Sequence, residues 1–155
     1  MTLRNSPHWT AVLGGVVAGA LDIVYAWVYW AIKAGVTFER ILQSVASGLL
    51  GPASFRGGAR SALLGALLHF GIAIAMSLTY YGIVRRIARF RHRPLIYGPI
   101  YGLALFIVMR YIVVPLSAAG GSSGDPLWVS LTIAAHMFLV GLPIALFANR
   151  ALHGD

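Results

Sequence analysis

Four long apolar stretches, separated by short polar joints, make up most of the chain. Apolar and small residues run with little interruption from about Trp9 to Lys33, Arg60 to Val84, Leu95 to Leu116 and Leu127 to Asn149. At about 1.5 Å of rise per residue, each is about 32–38 Å long, enough to cross a hydrocarbon core of about 30 Å with some tilt. The pattern predicts an all-α integral membrane protein, a bundle of four transmembrane helices in one domain spanning 1–155, with both termini on one side. The first stretch follows a single basic residue, Arg4. It is too long for the apolar part of a signal peptide and has no small-residue cleavage pattern, so it reads as a retained signal anchor.

A second periodicity lies between spans one and two. In "TFERILQSVASGLLGP", Phe38, Ile41, Leu42, Val45 and Leu49 recur at helical spacing, and Gly51-Pro52 ends the run. Thr37 fits as N-cap, and Glu39 sits where the helix dipole favours an acid. This predicts a short extra amphipathic helix over about 37–50, on the outer membrane surface or folded over the bundle mouth as a lid that buries its own apolar stripe. The joint between spans three and four, "SAAGGSSGDP" (Ser117 to Pro126), is a flexible turn without chemistry of its own.

Composition agrees with a membrane chain. Of 155 residues, 59% are hydrophobic and 10% charged, against about a quarter charged in soluble domains. There is no cysteine, which excludes disulfides, thiolate catalysis and sulfur-ligated metal. The formal charge of +8 would point to nucleic acid in a soluble protein. Here the basic residues gather at the ends of spans, so membrane lipid is the expected partner and nucleic acid is not. Arg85, Arg86, Arg89, Arg91 and Arg93 join spans two and three and share a side with Arg4 and Arg150. By the positive-inside rule that side, with both termini, faces the cytoplasm. The same five arginines suit anionic headgroups, although topology alone accounts for them. Trp27, Tyr29, Trp30 and Trp128 form the expected outer aromatic belt, and Trp9, Tyr80, Tyr81, Tyr97 and Tyr101 the inner one.

Each span also carries one Asp, His or Arg away from its ends: Asp22, His69, Arg110 and His136. Counting residues from the outer ends puts the histidines roughly 14 Å deep, and Asp22 and Arg110 roughly 8–12 Å deep. Ionisable side chains in hydrocarbon are costly, and they face the bundle interior, pair with one another or mark a proton or substrate path. The four residues are therefore expected to form one buried polar layer, with Tyr25 in support. Small residues flank them. Ser61, Gly65, His69, Ala73 and Ser77 repeat every four residues in span two; Gly15 and Gly19 mark span one, and Gly98 and Gly102 lead to Phe106 and Arg110 in span three. Pro99, Pro115 and Pro143 each free a backbone carbonyl, and "VGLPIAL" is the expected break in span four, beside the layer. A weak internal repeat sets "LLHFGIAIAMSLTYYGIVRR" beside "AAHMFLVGLPIALFANRA" and implies approximate twofold symmetry, pairing His69 with His136 and Asp22 with Arg110.

The segments "AGALDIVYA", "SVASGLLGPASFRGGARSALLGALLHF", "VMRYIVVPLSA" and "HMFLVGLPIAL" resemble a group of small bacterial inner-membrane proteins related to the YagU-like family. The resemblance covers most of the chain. It implies a four-helix protein of the bacterial inner membrane and brings no functional residues with it.

Several chemistries remain open at this stage. Asp22 and Arg110 read as a structural ion pair between spans one and three, or as a proton acceptor with its charge partner. The histidines read as neutral imidazoles bonding across helices, as a proton relay, or as axial ligands of haem b; a zinc or copper site lacks enough ligands. No nucleophile elbow, phosphate loop, HExxH or carboxylate pair is present, so no enzyme activity is expected. Two functions follow: a small proton-linked transporter or channel-like protein working through the polar layer, or an accessory subunit that packs against a larger membrane complex or against copies of itself.

Overall fold

The computed structural model describes residues 7–121 and 123–153, and all regular elements among them are helical. Arg4, expected on the cytoplasmic side, lies outside the described residues. Four helices are long and apolar enough to cross a membrane: His8–Ala34, Gly58–Arg86, Pro94–Leu116 and Pro126–Leu152, here spans one to four. Span one is helix α1 (Pro7–Ala34) and span two is α3 (Gly58–Arg86). Between them lie α2 (Phe38–Leu50) and a short 3-10 turn. A five-residue helix, α4 (Ala88–His92), joins span two to span three. The bundle's outer surface carries Leu63, Leu67, Ile100, Ile107, Tyr111, Leu131 and Phe138 exposed, a surface compatible with a multi-pass membrane protein.

Spans three and four are each interrupted by one wide turn. Span three runs as α5 (Pro94–Val108), a π turn (Met109–Val113) and α6 (Val114–Leu116). Span four runs as α7 (Pro126–Ala135), a π turn (His136–Gly141) and α8 (Leu142–His153). Prolines explain both. Pro115 and Pro143 have no amide hydrogen for the carbonyl four residues back, and in the turn before each, the preceding amide reaches five residues back, Val114 to Met109 and Leu142 to Met137. The break expected at "VGLPIAL" thus takes the form of a π turn that starts on His136. Pro99 sits inside α5 without any such turn.

Glycine decides which helices touch. A Cβ on Gly15 would lie 2.6 Å from Ile74 Cα, and one on Gly98 2.9 Å from Ala145 Cβ. Gly102 meets the His136 carbonyl, Gly141 the Gly98 carbonyl, and Gly65 the Leu42 carbonyl of α2, each too closely for any side chain. Span one therefore packs on span two, span three on span four, and α2 on span two. Span four lies between spans one and three and contacts both, whereas spans two and three barely approach each other. Where they do meet, the Tyr101 hydroxyl donates to the Met76 carbonyl at 2.8 Å.

The two ends of the bundle differ. The end that carries the termini is packed solid, with Tyr80, Val84, Leu105, Ile144, Ala148 and Ala151 in one buried cluster. Tyr80 and Tyr81, expected in an aromatic belt, are 1% and 5% exposed and belong to this core. Their rings fill the space left by small residues on spans one and four. At the α2 end, Tyr25 stacks on Trp128 (centroids 5.5 Å apart), and Tyr29 and Trp30 pack on the same indole. Helix α2 also departs from expectation. It buries Ile41, Gln43, Ala46 and Ser47, while Phe38 and Leu49 of the predicted apolar stripe stay exposed. The contact with Gly65 selects its small side, because only small residues allow that approach.

The spans one and four are also clamped by charge at the α2 end. Asp125 caps α7, accepting from the Leu127 amide at 3.2 Å, and its other oxygen takes hydrogen bonds from Lys33 and from the Tyr29 hydroxyl. These partners, Lys33 foremost, hold the Asp125 carboxyl down from 3.8 to about 2. A lowered value means the clamp contributes fully above the ordinary carboxylate range and is lost as pH falls through about 2. Fluorescence of Trp128 and Trp30 in detergent is therefore expected to hold steady on acidification through about pH 4 and to change only nearer the lowered value. Asp125→Asn should remove that step, and a transition centred on the ordinary carboxylate range would contradict the clamp.

Candidate functional site

Because spans two and three are held apart above Tyr101, a cavity of about 600 Å³ opens between them, within the range of about 300–1,000 Å³ typical of small-molecule sites. Span two supplies Leu68, His69, Ile72, Ala73 and Met76, and span three supplies Met109, Val113, Val114 and Leu116. Spans one and four contribute Ala18, Gly19, Asp22, His136 and Val140. Helix α2 covers the mouth with Ser44, Val45, Gly48 and Leu49, and its end is tied to the loop after span three by the Ala118 amide, which donates to the Gly48 carbonyl at 3.0 Å. The cavity is half-open and its walls are mostly apolar.

Three of the four predicted ionisable residues meet here. The His69 Nε2 lies 2.8 Å from the Gly19 carbonyl of span one, the cross-helix bond that the small-residue stripe was expected to permit. A carbonyl only accepts, so His69 carries its hydrogen on Nε2, and in the neutral ring Nδ1 keeps a lone pair. His136 has the opposite arrangement: Nδ1 lies 3.1 Å from the Thr132 carbonyl one turn back, which assigns the hydrogen to Nδ1 and the lone pair to Nε2. Asp22 lies beside it, with Oδ1 3.9 Å from His136 Nδ1 and no hydrogen bond of its own among the described residues. That separation is beyond a hydrogen bond but close enough for strong electrostatic coupling where dielectric screening is weak. The side chains of His136 and Asp22 are 16% and 23% exposed, so both remain open to the cavity.

Arg110 is placed elsewhere. The ion pair expected with Asp22 does not form, because span four stands between spans one and three. Arg110 lies six residues from the end of span three, within reach of the connecting loop. Its long side chain extends there, donating to the Ser123 carbonyl at 3.2 Å and lying 5.9 Å from the Tyr111 ring centroid. The polar layer therefore consists of Asp22, His69 and His136. Tyr25 bonds Thr132 at 3.2 Å rather than either histidine. The expected twofold repeat survives only in part: glycines of the first helix pack against the histidine-bearing second helix in each half, but Asp22 and Arg110 have unlike surroundings. Haem ligation by the pair as it stands would have to use Nδ1 of His69 and Nε2 of His136, the nitrogens free of backbone bonds.

The other predicted group, the basic joint, lies at the opposite end. Arg85, Arg86, Arg89 and Arg93 are exposed there, and Arg85 stacks 5.7 Å from the Tyr81 ring centroid. Arg91 is half-buried, its backbone carbonyl held by Asn149 at 3.0 Å. The sequence offered α2 as a lid over the bundle mouth, but the place of its small residues in the cavity wall was missed. The signal was Ser44 and Gly48, small residues four apart that flank Val45 and Leu49 of the apolar stripe.

No known protein family, curated protein or solved structure matches this chain. The site must therefore be tested on its own geometry. Nitrogen-15 spectra of the neutral rings are expected to show His69 protonated at Nε2 and His136 at Nδ1. Two histidines of the same tautomer would contradict the assigned backbone bonds.

Proposed function

We propose that the protein is a small proton-linked transporter of the bacterial inner membrane, with both termini cytoplasmic and the cavity facing outward in the state described. One observation carries this reading: a half-open cavity is lined, at mid-span, by the three titratable side chains that the sequence places inside hydrocarbon. A solute entering from the α2 end reaches Asp22, His69 and His136, while the packed cluster around Tyr80 and Ile144 bars the way to the other end. Passage requires that cluster to open. Two features of the bundle favour such a motion. The π turns in spans three and four leave local helical bonding that can be rearranged, and the buried Tyr80 hydroxyl has no hydrogen-bond partner among the described residues, which lowers the stability of the closed packing.

In this scheme Asp22 is the proton acceptor. A lone charge at this depth is unfavourable, so the site is best satisfied when the carboxyl is either protonated or paired with its guest. Proton and solute then compete for one group, which is the condition for exchange. His69 and His136 position the guest and relay the proton between Asp22 and the cavity mouth.

A second reading is supported by span three, which packs mainly on span four and presents Ile100, Leu103, Ile107 and Ile112 outward. That face has room for a helix of a second copy or of a larger complex, in which case the polar layer only fixes how the helices meet. Charge movement separates the two. Proteoliposomes adsorbed on a solid-supported membrane are expected to give transient currents on a pH jump across the wild-type protein and none with Asp22→Asn. Equal currents in both, or none in either together with co-purifying polypeptides, would remove the transporter reading.

A further inference from the structure

The polar groups that line the cavity share a property that bears on what it holds. Each has its hydrogen directed away. The Ser44 hydroxyl donates to the Ile41 carbonyl at 2.7 Å and the Ser117 hydroxyl to the Val114 carbonyl at 2.7 Å. His69 donates through Nε2 to Gly19, and His136 through Nδ1 to Thr132. Asp22 adds a carboxylate with no donor of its own. Among the lining side chains only lone pairs and one acid group remain to meet a guest, and no lysine or arginine lines the space. Helix α2 and span three contribute no titratable group to it, so the charged and titratable set is Asp22 from span one, His69 from span two and His136 from span four.

From this arrangement we infer that the cavity binds an amphipathic organic ammonium ion carrying at least one N–H donor, an inference that rests on the transport reading above. The ammonium head meets Asp22 and the free nitrogens of the two imidazoles, where charge-assisted hydrogen bonds are strongest. Its apolar part lies along Leu68, Ile72, Met76, Met109 and Val113, with the two methionines adapting to different shapes. An anion would find no side-chain donor in the cavity beyond the proton of an un-ionised Asp22, and would face the carboxylate once that proton is lost. The exchange balances: a protonated Asp22 carboxyl and an incoming R–NH3+ give a carboxylate paired with R–NH3+ and one proton released to the mouth. The charge inside the cavity is zero before and after, so neither state leaves a lone buried charge.

The test uses the full chain in lipid nanodiscs, with empty nanodiscs subtracted, and three probes of one shape: 2-(1-naphthyl)ethylammonium, 1-naphthylethanol and 1-naphthylacetate. Calorimetry in weak buffer is expected to show saturable binding of the ammonium with release of up to one proton, and binding of the other two weaker by about tenfold or more. Asp22→Asn should weaken the ammonium by about tenfold and leave the alcohol unchanged. The probe series on wild-type protein needs no variant, so the test stands even if that substitution fails to fold. Equal or tighter binding of the alcohol or the acetate would overturn the inference, as would saturable binding of none of the three. The same probes in the current assay separate the two claims. Currents driven by alcohol or acetate but not by ammonium would overturn the ligand class and leave transport standing. Selective ammonium binding without current from any probe would leave the ligand class standing and remove transport.

Discussion

Close backbone contacts at glycine join span one to span two, span three to span four and α2 to span two, and no such contact joins spans two and three beside α2. For helices this apolar, hydrocarbon would offer little hydrophobic gain on association, and van der Waals contact between small-residue faces would set which pairs form there. Gly15, Gly65, Gly102 and Gly141 each abut backbone of a neighbouring helix so tightly that no side chain would fit. The gap left over is the cavity. Its position is fixed by the same contacts, because Gly19 and Gly102 bring their helices against the two histidine-bearing ones at the depth of the polar groups.

The polar layer then follows from ordinary satisfaction of hydrogen-bonding groups. An imidazole inside a bundle needs an acceptor for its N–H, and helix carbonyls are the acceptors at hand: Gly19 across the helix pair for His69, and Thr132 one turn back for His136. These two bonds turn the remaining nitrogens into acceptors. The serines of α2 and of the loop after span three follow the same rule, bonding carbonyls of their own segments. A cavity that is mostly apolar in its walls, with polar groups that present acceptors, is the result. Proton affinity and ligand preference are thus properties of one set of bonds.

Much of the fold was legible in the chain because length and apolar content mark a helix able to cross a membrane with few alternatives. The predicted spans and the observed ones differ by only a few residues at each end, as in 60–84 against Gly58–Arg86. The helix after span one was legible through Thr37, whose hydroxyl accepts from the Arg40 amide at 3.3 Å, and through Gly51, whose φ of 59° ends it. The order of helices around the bundle was not legible. Counting depth puts Asp22 and Arg110 near one another, but depth says nothing about which span lies between them, and span four does. Arg110 also shows why a residue count mislocates long side chains: its guanidinium reaches the loop at Ser123 although its Cα lies within the span. Tyr80 and Tyr81 were misread for a related reason, since an aromatic near a span end fits either a belt or a core, and only their burial in one cluster with Ala148 and Ala151 decides.

The central claim is that the cavity reaches the histidine layer from the α2 end and is closed at the end that carries the termini. The chain has no cysteine, so single substitutions report access directly. Ile72→Cys and Val113→Cys face each other across the cavity, and Ile144→Cys lies in the packed half. In oriented membrane vesicles, a membrane-impermeant maleimide is predicted to label positions 72 and 113 from the α2 side and position 144 from neither side. Labelling of position 144 as fast as the other two, or of positions 72 and 113 only from the side of the termini, would contradict the account.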